Sequence, residues 1–187
     1  MILLTGFNPS GKLKSDPSGE IASLLDGSIF RGNEIKGICL DLAYDSVNEF
    51  CLNSRTGQYD YIINLGLDIG KPSILLEKGA IIRSDDNSLD FWNIPKPKQS
   101  PFEIFTSLDI EGILNSLRSA RIPARIAPNH DSSLINRLYY SSLVLSDGRA
   151  LLVGLPATPE ISVKGDVPVL DLESMIRAVE LTVQKII

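Results

Sequence analysis

One histidine, two cysteines and one tryptophan in 187 residues leave little material for a metal centre or a disulfide framework. Cys39 and Cys51 stand at no metal-ligand spacing and are too few to staple a fold, so they read as buried thiols, and neither a metal nor a cofactor is expected. Cations are not in excess either. Eighteen Lys and Arg against 23 Asp and Glu give a formal charge of -5, and the basic residues are scattered. A partner held by its phosphates requires the opposite balance, which excludes nucleic acid. Long apolar runs are also missing: no stretch nears the roughly eighteen residues of a membrane span, so no membrane association is expected. Met1-Ile2-Leu3-Leu4 is too short for a signal-peptide core and lacks its basic leader and cleavage site, so the expected location is cytoplasmic. A phosphate loop fails as well. In Gly66-Leu67-Asp68-Ile69-Gly70-Lys71-Pro72-Ser73 the glycine spacing is one residue short, and Pro72 follows the lysine where a Ser or Thr should open a helix.

What is present suits one domain over residues 1–187: 43% hydrophobic and 22% charged residues, without repeats or low-complexity segments. Ile2-Leu3-Leu4 is a buried-strand run that stops at Thr5-Gly6-Phe7-Asn8-Pro9-Ser10-Gly11, a loop at the strand's C-terminal edge. Asp16-Pro17-Ser18-Gly19-Glu20 carries an Asp cap, Pro at the first helical position and an early glutamate, and opens a helix to about Leu25. Further strands are predicted at Ile35 to Leu42, at Tyr59 to Leu65 closed by Gly66, at Ile74 to Ile82, at Ala124 to Ala127 and at Arg149 to Pro156. Helices are predicted at Ser46 to Leu52, Ile110 to Leu117, Leu134 to Val144 and, capped at Asp171, along the stripe Leu172, Met175, Ile176, Val179 and Val183. This alternation predicts an α/β fold of three α/β/α layers around a mostly parallel sheet. Residues 84–101 form a proline-rich polar excursion containing Trp92, long enough to be a functional loop or a partner surface.

Asn129 to Tyr140 gathers the only histidine, His130, with Asp131, Ser132 and Ser133 ahead of an apolar helical run. These types invite a hydrolase reading, yet adjacent residues seldom serve each other as nucleophile and base, and Asp131 and Ser132 suit a helix cap equally well. Glu77 lies among apolar neighbours on the face of Leu75 and Gly79. On strand pattern alone the solvated arrangement is the more common one.

Four segments together resemble the pyroglutamyl peptidase type I (pyrrolidone-carboxylate peptidase) family. Thr5-Gly6-Phe7-Asn8-Pro9-Ser10-Gly11 with Asp16-Pro17-Ser18 is similar to its Thr-Gly-Phe-x-Pro-Phe-Gly-Gly and later Asn-Pro-Ser. Leu65-Gly66-Leu67 with Lys71, then Leu76-Glu77-Lys78, resembles Gly-Leu-Ala-Gly-Gly-Arg followed by Glu-Arg-Val-Ala. Leu117 to Pro123 resembles Leu-x-x-Ala-Gly-Ile-Pro, and Pro156-Ala157-Thr158-Pro159-Glu160 the tail of His-Val-Pro-x-x-Pro-Glu.

The resemblance implies the α/β/α, phosphorylase/hydrolase-like fold of a cysteine peptidase that removes N-terminal pyroglutamate through a Cys-His-Glu triad. Carried over residue by residue, Glu77 matches the glutamate, but the cysteine position holds Ile135 and the histidine position Gly154. The aromatic pair that packs on the pyroglutamyl ring becomes Phe7 and Ser10, and Ser132 falls in the nucleophile motif beside the pocket. Lys71 and Ile82 replace an arginine and an asparagine. A branched alkane is no nucleophile and glycine is no base, so the resemblance implies a catalytically silent member, its pocket remodelled for a small ligand, a peptide N-terminus or a partner. The alternatives are a hydrolase of changed chemistry in the same cleft, or an active pyroglutamyl peptidase should the alignment slip. Family members self-associate, so a homo-oligomer is a further expectation of the resemblance.

Overall fold

The computed structural model describes residues 1–82, 102–127, 134–162 and 165–187. In chain order the elements are β1 (Ile2–Phe7), α1 (Pro17–Leu25), β2 (Ile29–Phe30), β3 (Asn33–Leu40), α2 (Tyr44–Asn53), β4 (Tyr61–Leu67), β5 (Ile74–Glu77) and β6 (Gly79–Ile82). They continue with β7 (Phe102–Phe105), α3 (Ile110–Ser119), β8 (Ala124–Ala127), α4 (Leu134–Leu145), β9 (Ala150–Leu155) and α5 (Leu172–Ile186). Seven strands form one sheet in the order β2-β3-β1-β4-β9-β5-β8, parallel throughout except at β2–β3 and β5–β9. The α/β class and the mostly parallel sheet expected from the alternating pattern are therefore observed.

Strand alternation sorts the core into two layers. Ile2, Leu4, Ile63, Leu65, Leu151, Val153, Ile74 and Leu76 face α1, α3 and α5. Leu3, Ile62, Ala150 and Leu152 face α4, and Phe7 and Leu40 join Val47 of α2 and Leu138 of α4. Period-two burial on both faces is what a doubly covered sheet requires. Aspartates start three of the helices: Asp16 accepts from Ser18 N, Asp109 from Gly112 N and Asp171 from Ser174 N.

The structure departs from the expected elements in four places. The loop expected from Thr5 begins only after Phe7, because Thr5, Gly6 and Phe7 continue β1 in register with Ile38, Cys39 and Leu40 of β3. The run from Ile74 to Ile82 is two strands, not one: the chain breaks at Lys78, and β6 leaves the main sheet to pair antiparallel with β7. Gly66 does not close β4, which runs on to Leu67. The two-residue β2 and the strand β7 carry too little local signal to be anticipated. The 84–101 excursion with Trp92 lies outside the described residues.

Glycine decides how closely α1 sits on the sheet. A Cβ on Gly6 would stand 2.1 Å from the Ser18 carbonyl oxygen, and one on Gly37 would stand 2.0 Å from that of Ala22. Backbone faces backbone at both contacts, so no side chain can yield. Gly6→Ala is expected to cost about 3 kcal/mol through forced separation of α1 from β1, read as a lower urea midpoint.

Candidate functional site

Register places the residues that matter on one face. Leu75 pairs with Gly154 and Glu77 with Leu152 across β5–β9, while Gly66 pairs with Gly154 across β4–β9. Gly66, Gly154, Leu75 and Glu77 therefore all face α4. Ile135, in the first turn of that helix, reaches down so that its Cδ1 lies 3.1 Å from where a Cβ on Gly66 would be. The chain thus brings the Ile135 and Gly154 positions to the two sides of Gly66, although 19 residues separate them in sequence. Ile135 is half-buried and packs among Leu138, Leu152, Tyr139 and their neighbours. At this spot the chain presents a branched aliphatic side chain and a bare stretch of backbone.

Glu77 is not solvated, as strand pattern alone favoured. It is 1% exposed, and its pKa is pushed up to about 7. Burial is the largest cause; the negative charge of Asp68 adds to it, and Arg125 and Lys71 oppose it. Strand alternation alone cannot distinguish a glutamate facing water from one facing a covering helix, and here the cover is α4. Asp68, just past β4, is anchored by its N–H donating to the Leu155 carbonyl at 2.7 Å. In the sequence Asp68 belongs only to a failed phosphate-loop pattern, which carries no signal of its place beside Glu77.

Two residues of α4 that sequence reasoning also passed over hold the site together. The Asn136 side chain imitates a strand: its Oδ1 accepts from Ile81 N at 3.0 Å and its Nδ2 donates to Ile81 O at 2.7 Å. The Tyr139 hydroxyl donates to the Glu77 carbonyl at 3.0 Å, and burial drives its pKa upward. Position gave the only available signal, since Asn136 and Tyr139 lie one and four residues after Ile135 on the same helix. Asn136→Ala strands the Ile81 amide in a partly buried place and is expected to cost about 1–3 kcal/mol, read by urea denaturation, with faster amide exchange at Ile81.

Phe7 is also buried, 1% exposed, against Leu40, Val47 and Leu138. Its N–H donates to Ser18 Oγ at 3.0 Å, and that hydroxyl in turn donates to Asp16 Oδ1 at 2.6 Å. The Asp16-Pro17-Ser18 segment thereby fastens the end of β1 as well as starting α1. Ser10 is half-buried in the loop after β1. Cys39 and Cys51 are partly rather than fully buried. Cys51 is no substitute nucleophile, because burial pushes its thiol up to about 12. His130, Asp131, Ser132 and Ser133 lie outside the described residues. Among the described residues no group of three or more His, Cys, Asp or Glu side chains is arranged to hold a metal, and no helix is long and apolar enough to cross a membrane.

Comparison with known proteins gives a consistent result. The family model described as pyroglutamyl peptidase matches residues 1–187. The chain is 29% identical over 197 residues to pyrrolidone-carboxylate peptidase 2 of Photorhabdus laumondii, covering 98% of this chain and 90% of that protein. It is 26% identical over 200 residues to a pyrrolidone-carboxylate peptidase of Saccharolobus islandicus, covering 100% and 94%. Among solved structures, a mutant pyrrolidone carboxyl peptidase from Pyrococcus furiosus superposes with a TM-score of 0.82 at 26% identity, over 99% of this chain and 97% of that one.

Proposed function

The chain belongs to the pyroglutamyl peptidase family, and from that premise we propose that it is a member that has lost hydrolysis and keeps the cleft as a binding site. The observation that carries this reading is Ile135 packed onto Gly66, with Gly154 beside it in the sheet. Acyl transfer from a pyroglutamyl peptide needs a thiolate to attack the carbonyl and an imidazole to move the proton. Neither group stands at these positions, while the orienting carboxylate, Glu77, is kept. A peptide N-terminus or a small ligand held without turnover is the proposed occupant. Ser10 and Ser132 in place of bulkier family residues belong to the remodelled pocket in this reading. A single domain, a homo-oligomer and cytoplasmic residence are part of the same proposal.

Purified protein is expected to release aminomethylcoumarin from its pyroglutamyl amide no faster than buffer does. Release far above buffer that thiol alkylation abolishes would overturn the reading. A second reading, hydrolysis by changed chemistry in the same cleft, is favoured by one observation: burial, with the charge of Asp68 adding to it, holds the Glu77 carboxyl near neutrality, where an acid or base catalyst works best. That reading requires some ester or amide in a hydrolysis panel to be turned over, with Glu77→Gln abolishing the rate. Equal rates in the two proteins would sink it.

A further inference from the structure

The ladders that β5 makes with β8 and β9 both end at Glu77, and after Lys78 the chain pairs with β7 instead. The direction taken by the Glu77 carboxyl therefore depends on what holds this turning point. Three contacts do so. Thr106 N, just past β7, donates to the Lys78 carbonyl at 3.0 Å, and Asn136 pairs with both backbone groups of Ile81. The third, from the Tyr139 hydroxyl to the Glu77 carbonyl at 3.0 Å, is the one that reaches Glu77 itself.

Tyr139 is completely buried, with its ring packed in the layer of Leu143 and Leu152. A phenylalanine ring serves that packing as well, whereas a buried hydroxyl costs free energy unless it is bonded, and here its proton goes to the end of β5. Tyr139 follows Ile135 by one helical turn, so the two share a face of α4. The helix that lays Ile135 on Gly66 is thereby tied to the strand end that carries the carboxyl. Among the described residues, the charged groups that act on that carboxyl are Asp68 and Lys71 in the loop after β4 and Arg125 on β8, and α4 faces it with Tyr139.

We propose that Tyr139 is a positioning residue for Glu77: by holding the last carbonyl of β5, its hydroxyl keeps the carboxyl turned under α4 beside Asp68 and away from water. This rests on the reading that Glu77 is the acid group the cleft retains, and it assigns turnover to neither residue. Asn136, three residues earlier on the helix, fixes β6 and takes no such part. Without the hydroxyl the ring stays in place but the strand end is released, and the carboxyl gains water and the approach of Lys71 and Arg125, all of which favour its ionised form.

The full chain labelled with 13C at glutamate Cδ, titrated by NMR from about pH 4 to 9, is expected to show one carboxyl, absent from Glu77→Gln, with a midpoint of about 7. In Tyr139→Phe that midpoint is expected to fall by about one pH unit or more. Asn136→Ala, which loosens the same helix at Ile81, is expected to leave it close to the wild-type value, and this separates positioning from general loosening. In the wild type the Tyr139 Cζ signal is expected to move with the same midpoint, a readout that needs no variant to fold. The assignment is overturned if the wild-type carboxyl titrates in the ordinary glutamate range or if folded Tyr139→Phe titrates like the wild type. It is equally overturned if Asn136→Ala moves the midpoint as far, or if the Tyr139 signal stays flat through the Glu77 transition. None of these measurements reads a ligand or a product, so a cleft that binds nothing would leave their outcome unchanged.

Discussion

Ile135→Cys and Gly154→His combined in one chain are expected to raise release of a fluorophore from a pyroglutamyl amide by about a hundredfold or more over the wild type, with each single variant close to background. Nucleophile and base act as a unit, so either one alone gains little. The frame for the pair exists. Ile135 sits over Gly66, and Gly66 and Gly154 are partners in the β4–β9 register. Two features keep the expected gain well below what an intact triad supplies. A Cβ on Gly154 stands 3.1 Å from the Leu75 Cβ, so a histidine there requires β5 to give by a few tenths of an ångström. In the proposed reading Ser10 and Lys71 also hold a pyroglutamyl ring and its flank less well than the residues the resemblance places there. A folded double variant whose thiol is readily alkylated but which turns nothing over would show that the substrate pocket, not the triad, is the missing part.

Glu77→Gln is expected to flatten the pH dependence of stability, an effect of about 3 kcal/mol at its largest. In the native chain Glu77 keeps its proton up to about pH 7, whereas an unfolded glutamate releases it near 4.5. Below about 4.5 both states are protonated and the contribution is complete. Between 4.5 and 7 the native state binds more protons than the unfolded one, so stability falls as pH rises and levels off above 7. The neutral amide removes that slope, making the variant the more stable protein at pH 8 and leaving the two comparable at pH 4. Urea unfolding of both proteins across that range, compared as a difference, isolates the residue from other titrating groups. Parallel profiles would mean that Glu77 is ionised in the fold, with the charges of Lys71 and Arg125 outweighing burial and Asp68.

Much of the architecture was legible because its causes are local. Asp16, Asp109 and Asp171 start helices by bonding amides two or three residues ahead, and short apolar runs such as Leu151 to Leu155 suit only strands buried on both faces. The resemblance likewise implies one site for Glu77, Ile135 and Gly154, because each matches a motif position. What was misread depended on neighbours distant in the chain. Glu77 follows a strand pattern that more often faces water, and only α4 lying across it decides the matter. Gly66 looked like a strand end because glycine usually is one, yet here it lies within β4, beneath the Ile135 side chain. Asn136 bonds Ile81 across 55 residues, and no window along the chain contains both.

The sequence by itself therefore determined most of the elements and how the sheet is covered, since capping, periodicity and side-chain type act over a few residues. Only the tertiary structure decided that Ile135 and Gly154 meet around Gly66, that Glu77 is buried beside Asp68 with a near-neutral pKa, and that Tyr139 bonds the Glu77 carbonyl. Each of those depends on desolvation or close approach between segments far apart in the chain, and neither is set until the layers pack.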